Sequence, residues 1–401
     1  MAVTDALRRP LATPMLAVSC VVLCAACRDE PSDPRATGRP AAVDLFSAWP
    51  GDESFQIAAE PSLVVGSDES LPLGRVSRAV FFGDGIAIAD LQAYEVLVLD
   101  AEGRLLYRQG GHGEGPGEYV YLAGVARHGD GLVTSDAYHM RVTRLDASGG
   151  YIGQTKHRWY AYQMPRLVGA FGNSVLLESS ERGWRGSSPA GPMEIRQPVT
   201  YEIVRLSDGE VVFEGTRPGQ EQWALREVYN DAGNMAYCGE SVVFGRTAVS
   251  AVTDRYAYLA DTDSITITRY DEAGNADVVS LEHFRESAEA DWERLVRDTL
   301  RANEFISECG LRLLEGLPAR PTPPAFSAMM GGADGLLWIR EYPNPLQEEV
   351  VWVGFSEAWE RKKRITMPLR LHVLDISEDR VLIQAEGTHD ETLIEVYPIE
   401  R

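Results

Sequence analysis

Apolar positions along this chain fall into short runs separated by Gly- and Asp-rich turns, and the runs repeat in a fixed order. Phe82-Gly-Asp-Gly-Ile-Ala-Ile-Ala-Asp90 is followed by Glu95-Val-Leu-Val-Leu-Asp-Ala-Glu-Gly103. His128-Gly-Asp-Gly-Leu-Val-Thr-Ser-Asp136 is followed by Arg141-Val-Thr-Arg-Leu-Asp-Ala-Ser-Gly149. Each stretch reads as a tight turn, a short strand ending in Asp, a second strand, an Asp-x-x-Gly turn and a third strand. Short strands between such turns predict an antiparallel meander. A fixed period of meanders predicts a propeller or a solenoid.

The first turn recurs at Asp84, Asp130, Asn173, Asp254, Asp334 and Asp379. Three of the intervals are roughly 45 residues, the length of one four-stranded blade, and two are roughly 80, one blade plus an insertion. Six turns predict six blades. Their second strands are expected at Ile86–Asp90, Leu132–Asp136, Ser174–Ser179, Tyr256–Asp261, Leu336–Glu341 and Val381–Glu386. The last blade shows only three strands of its own, near Leu371–Ile376, Val381–Glu386 and Thr392–Tyr397. Pro61–Gly66 is a spare strand, and closing the ring with it removes an exposed sheet edge. Ala288, Trp292, Leu295, Val296, Leu300, Phe305 and Leu311 follow helical spacing, and Pro318, Pro321, Pro323 and Pro324 end the segment. The expected fold is all-β: a six-bladed β-propeller over 44–401, closed by an N-terminal strand, with a helical insertion at about 282–324 between blades 4 and 5.

The beginning of the chain departs from this pattern. Arg8 and Arg9 precede an apolar run from Leu11 to Ala26. It is shorter than the roughly 20 residues a membrane-spanning helix needs, and its shape is that of a secretory signal over 1–26. Leu23-Cys24-Ala25-Ala26-Cys27 resembles a bacterial lipobox with Cys27 as the lipidated residue, although Cys24 stands where that pattern prefers Leu. Pro31, Pro34, Gly38 and Pro40 mark 27–43 as a tether. The expected location is the bacterial cell envelope, facing the periplasm or the cell surface, with membrane contact through the lipid anchor only. Past Cys27 only Cys238 and Cys309 remain. An oxidising compartment permits a disulfide between them, and two separate thiols are the other reading.

Charge narrows the partners. The formal net charge is −22, and the longest basic stretch is Arg361-Lys362-Lys363-Arg364, too short to offset it over a nucleic-acid footprint. Nucleic acid is therefore excluded as a partner.

Gly110-Gly-His-Gly-Glu-Gly-Pro-Gly-Glu-Tyr119 resembles the G-x-G-E-G-P-G-E-[FY] signature of bacterial six-bladed β-propeller lipoproteins, a family related to NHL-repeat and TolB-like propellers. Asp334-Gly-Leu-Leu-Trp338, Trp352-Val-Gly-Phe355 and Met367-Pro368 are similar to that family's last blades. The resemblance covers most of residues 60–400. It implies the propeller fold and an extracytoplasmic setting, and it brings no assigned reaction.

Candidate chemistry is sparse. The glycines at 111, 113, 115 and 117 lie between strands and before no helix, so they do not make a dinucleotide fingerprint. They fit a blade-to-blade loop with several positive φ angles, where Glu114 and Glu118 are expected to meet backbone amides. Asp90, Asp136 and Asp261 end second strands and read as turn caps. Asp261-x-Asp263-x-Ile265 lacks the third oxygen ligand of a calcium loop. No metal or cofactor is expected. The long segments, Gly110–Tyr119, Glu181–Pro198, Thr216–Arg246 and Glu282–Pro324, fall on one face of the ring and the tight turns on the other, which marks one working face. Inner strands begin on that face, so Arg78, Arg166 and His372 are expected at the channel mouth, joined by His112 and Trp184 as ligand contacts. The expected role is a binding or scaffolding module for a partner protein or a small anionic or polar ligand. The alternative is a lactonase-like or lyase-like enzyme with a metal in the channel. The inner strands offer Arg75, Arg78, Arg166 and His372 and few acids, which disfavours a hard cation.

Overall fold

The computed structural model describes residues 45–47, 54–67, 71–158, 164–180, 191–228, 235–281, 290–302, 308–344, 346–388 and 391–401. The signal, Cys27, nearly all of the tether and Trp184 lie outside them. Two short strands, β1 (Ser54–Ile57) and β2 (Leu63–Val65), precede the blades. Blade 1 is β3 (Val76–Phe82), β4 (Gly85–Asp90), β5 (Glu95–Leu99) and β6 (Leu105–Gly110). Blade 2 is β7 (Leu122–His128), β8 (Gly131–Asp136), β9 (Arg141–Leu145) and β10 (Tyr151–Lys156). Blade 3 is β11 (Arg166–Phe171), β12 (Ser174–Ser180), β13 (Met193–Arg205) and β14 (Val211–Val228), with a fifth strand, β15 (Met235–Ser241). Blade 4 is β16 (Ala248–Val252), β17 (Ala257–Asp261), β18 (Thr266–Tyr270) and β19 (Ala276–Ser280). Helices α1 (Ala290–Arg301) and α2 (Glu308–Leu314) follow. Blade 5 is β20 (Ala328–Gly331), β21 (Leu337–Arg340), β22 (Glu349–Phe355) and β23 (Arg361–Pro368), and blade 6 is β24 (His372–Ile376), β25 (Arg380–Glu386) and β26 (Thr392–Glu400).

The blades pack through both faces of each sheet. In blade 1, Ile86, Ile88, Leu97 and Leu99 enter one cluster with Leu374, Leu382 and Ile394 of blade 6. The alternate positions Ala87, Ala89, Val96 and Val98 enter another with Leu122, Val125 and Leu132 of blade 2. A period of two sends neighbours to opposite faces, and here both faces are covered. Every residue of β4 and β8 is therefore buried; β4 reads as an apolar run up to Asp90, whereas β8 also buries Thr134, Ser135 and Asp136. Such clusters recur between each adjacent pair of blades around the ring.

The ring closes through the predicted strand. β2 runs antiparallel to β26, with Leu63 opposite Val396 and Val65 opposite Ile394. The sequence reading did not foresee β1. It lies parallel to β23, with Ser54 opposite Arg364, and meets the end of β26 antiparallel, with Gln56 opposite Glu400. It thereby joins blades 5 and 6 into one sheet of nine strands.

Blade 3 corrects two further expectations. Thr216–Arg246 is not a loose blade link, and the segment expected as a loop up to Pro198 is already strand from Met193. β13 and β14 continue as a long hairpin past the blade, Met193 pairing with Ala224, and β15 adds to its edge. Residues 181–190 lie outside the described ones. Val243, Phe244, Leu314 and Leu317 form a small core beside this hairpin, packed by Trp223, Trp292, Val296 and Leu300. The apolar stripe of α1 is thus spent on a local core. Arg297 pairs with Glu293 at 2.7 Å one turn away.

His157, just beyond β10, is buried, and neither ring nitrogen has a hydrogen-bond partner among the described residues. Burial lowers its pKa to about 4. Between that value and the ordinary 6.5 the unfolded chain binds the proton and the folded chain does not, so stability rises with pH across this window. Urea unfolding at pH 4 and pH 7 should differ through this residue by about 3 kcal/mol, and a His157→Leu variant should remove that part of the difference.

Candidate functional site

The starts of the inner strands surround a cavity of about 530 Å³ in the central channel. Its wall is mixed: Ala123, Ala248, Met330 and Trp352 give apolar stretches, and Ser77, Glu178, Ser250 and Gln384 give polar ones. Arg78, Arg166 and His372, predicted together from the sequence, all line it. A second cavity of about 490 Å³ shares Val76, Ser77, Ala123, Arg166 and Glu178 and extends toward Arg75, Tyr121 and Met164.

Each cation has a different setting. Arg166 Nη2 donates to Glu178 Oε2 at 2.9 Å, and Ser250 Oγ donates to the same oxygen at 2.7 Å. The pair lies directly across the β11–β12 ladder, Arg166 opposite Glu178. Deeper in the channel, Arg127 forms a short ion pair with the buried carboxylate of Asp375. Asp375 Oδ2 also accepts the Phe81 amide at 2.9 Å, and Oδ1 accepts the Ile376 amide at 2.9 Å. Arg78 makes no hydrogen bond or ion pair with a described residue, and its Nε is buried without a partner. Burial, then Arg166 and Arg127, lower its pKa to about 10 against the opposing pull of Asp375. It remains a cation at neutral pH. The pKa of His372 is lowered by burial and by Arg78, so its ring is neutral there and able to donate or accept.

His112 is not part of this cluster. It sits in the Gly110–Tyr119 loop, edge-on to the Tyr94 ring with centroids 4.7 Å apart. That loop is a structural device. Gly110, Gly111 and Gly117 hold positive φ, and Tyr119 is fully buried between blades 1 and 2 with its hydroxyl 2.9 Å from Thr134 Oγ1. Arg141, itself buried, donates to the carbonyls of Glu114 and Glu118 at 2.9 and 2.5 Å and to Asp136 Oδ2 at 3.2 Å. Glu118 Oε2 accepts the Gly115 amide at 2.8 Å, as expected. The Glu114 carboxylate instead points to solvent near His139, 3.8 Å away.

The strand-ending aspartates are caps. Asp90 accepts the amides of Gly74, Gln92 and Ala93, and Asp136 those of Val120, Tyr121, Tyr138 and His139. Asp261 accepts the Asp263 amide and pairs with Arg196 of the blade 3 hairpin at 2.7 Å. Cys238 on β15 is disulfide-bonded. Cys309 lies on α2, which packs against β15, and its side chain is outside those described. Sequence reading missed Glu178, Ser250, Trp352 and the Arg127–Asp375 pair. Among the described residues, no three His, Cys, Asp or Glu side chains gather as a metal site would require.

The sequence pattern of a family described as a 6-bladed beta-propeller matches residues 65–170. No curated protein matches the chain. Several solved structures align over most of their own length. An inferred exported protein of Bacteroides fragilis has a TM-score of 0.43 at 10% identity, covering 86% of this chain and 98% of its own. A member of the duf4221 family from Bacteroides vulgatus has a TM-score of 0.46 at 10% identity, covering 86% and 99%. A gluconolactonase from Xanthomonas campestris has a TM-score of 0.34 at 13% identity, covering 87% and 98%. No activity passes from these proteins to this chain at such distances. The strand order above and the family matched at 65–170 agree on one architecture, and this chain is a six-bladed β-propeller.

Proposed function

We propose that this chain is an exported propeller, lipid-anchored at Cys27 in the bacterial cell envelope, that binds a small anionic or polar ligand in its central channel. The observation that carries the reading is Arg78, a half-buried guanidinium whose Nε is buried without a partner, facing a cavity of about 530 Å³ beside Arg166 and the neutral His372. Partly enclosed apolar clefts with a few convergent polar groups are the usual form of a small-molecule site. Ala123 lines both cavities, so Ala123→Leu should occlude them. Native mass spectrometry of protein extracted from its own membranes should show a small-molecule adduct that the Ala123→Leu variant lacks. An adduct retained by that variant places the ligand elsewhere and ends the reading.

The anchor has its own test. The intact mass of membrane-extracted protein should correspond to a chain beginning at an acylated Cys27. We also pair Cys238 with Cys309, the two cysteines beyond the acylated Cys27. Reduction should add the mass of two hydrogens. An unacylated chain starting at Ala26 or Cys27 would remove the anchor from the proposal.

A further inference from the structure

The charges enclosed by the channel do not balance. Three guanidinium groups, Arg78, Arg127 and Arg166, stand against two carboxylates, Asp375 and Glu178. Both carboxylates are engaged: Asp375 by Arg127 and two backbone amides, Glu178 by Arg166 and Ser250. Arg75, in the adjoining cavity, and Asp254, at the far mouth, are both exposed to solvent and offset one another in the count. The excess positive charge therefore belongs to Arg78. Its Nε is buried without a partner, and an ion drawn out of water without a counter-charge is costly, so the protein's own groups leave a deficit of one negative charge here.

We propose that the channel cavity seats one monoanionic ligand, a carboxylate with an apolar body, on the Arg78 guanidinium. This deepens the channel-binding reading and rests on it. The charge follows from the count. Arg127 and Arg166 already have carboxylate partners, and a dianion would overshoot the single excess charge. The carboxylate follows from the partner, because a guanidinium fork matches two coplanar oxygens. The apolar body follows from the apolar part of the mixed wall, where Ala123, Ala248, Met330 and Trp352 can cover a hydrocarbon group while Arg78 holds the carboxylate. His372, neutral beside Arg78, supplies a hydrogen bond and no second cation.

The full mature chain is titrated with acetate, hexanoate, benzoate, inorganic phosphate and benzyl alcohol, following Tm and Trp fluorescence. Hexanoate or benzoate should raise Tm saturably and perturb the fluorescence, acetate should act more weakly, and phosphate and benzyl alcohol should have no saturable effect. Arg78→Met should weaken the carboxylate response at least about tenfold. It should melt no lower than the ligand-free wild type, because the substitution removes a charge without a counter-charge. Arg78→Gln serves the same comparison should the Met variant not fold. A wild type indifferent to both apolar carboxylates overturns the proposal, as does a carboxylate response that survives in Arg78→Met or Arg78→Gln. If the native adduct persists in the Arg78 variants yet is lost from Ala123→Leu, the anion proposal fails while the channel reading stands. If Ala123→Leu retains the adduct, the channel reading itself fails.

Discussion

A chain beginning at Leu73 should be less stable than one beginning at Cys27 by about 5 kcal/mol and should self-associate. The truncation removes β1 and β2 with their ladder hydrogen bonds, and it strips buried Val65, Leu45 and Phe46 from their clusters. The magnitude combines a few net hydrogen bonds with the burial of several apolar side chains. Self-association follows because β26 would present an unpaired edge. Urea unfolding and sedimentation measure the two effects separately. Val65→Asp in the intact chain isolates the closing strand, since it leaves Leu45, Phe46 and β1 in place. A truncated chain that unfolds at the same urea concentration as the intact one would show that closure contributes little.

Asp375→Ala should cost about 3–5 kcal/mol, the range for removing one partner of a buried ion pair. The substitution leaves Arg127 facing Arg78 without a counter-charge and strips the buried Phe81 amide of its acceptor. Asp375→Asn keeps an acceptor for that amide and should lose less. Adding Arg127→Met to Asp375→Ala should recover part of the loss, because the stranded cation goes with it. Urea midpoints for the wild type, Asp375→Ala, Arg127→Met and the double variant measure this coupling, and strictly additive losses would mean that the pair does not act as a unit.

These two sites differ in how readily the sequence discloses them. The closing strand was legible because the repeat itself exposes a vacancy: a blade with three strands needs a fourth, and Leu63–Val65 was available. β1 has no such signal. Ser-Phe-Gln-Ile is short, outside the repeat and only partly buried, and its role depends on two partners distant in sequence. The channel cations were legible because inner strands begin on one face. Their partners were hidden by backbone geometry. Bulges interrupt the register between Val76 and Arg78, Leu122 and Gly124, Leu167 and Gly169, and Val373 and Asp375. Counting back from the Gly172-Asn173 turn without the bulge sets Arg166 opposite Ser179, whereas the ladder sets it opposite Glu178. A one-residue slip reverses side-chain facing, so the Arg166–Glu178 pair appears only once the bulge is known. The blade 3 hairpin was misread because its polar positions resemble loop composition, whereas Arg320, from the segment after α2, bridges Glu194 on β13 and Glu221 on β14.

The pairing of β2 with β26 also has a consequence for the order in which the molecule can fold. The ribosome delivers Leu63 long before its partner Val396, with all six blades' inner strands in between. Until then the first blade faces no blade 6, and the apolar side of β4 that will meet Leu374 and Leu382 has no cover. Blades 2 to 4 can assemble on local contacts as they emerge, but the contacts that make the ring circular, β2 and β1 on β26, join the two ends of the propeller and carry a large loop-closure cost. Nascent chains therefore pass through a stage in which an open arc displays an unsatisfied face at each end, and a holding chaperone would find its substrate there until the last strand arrives.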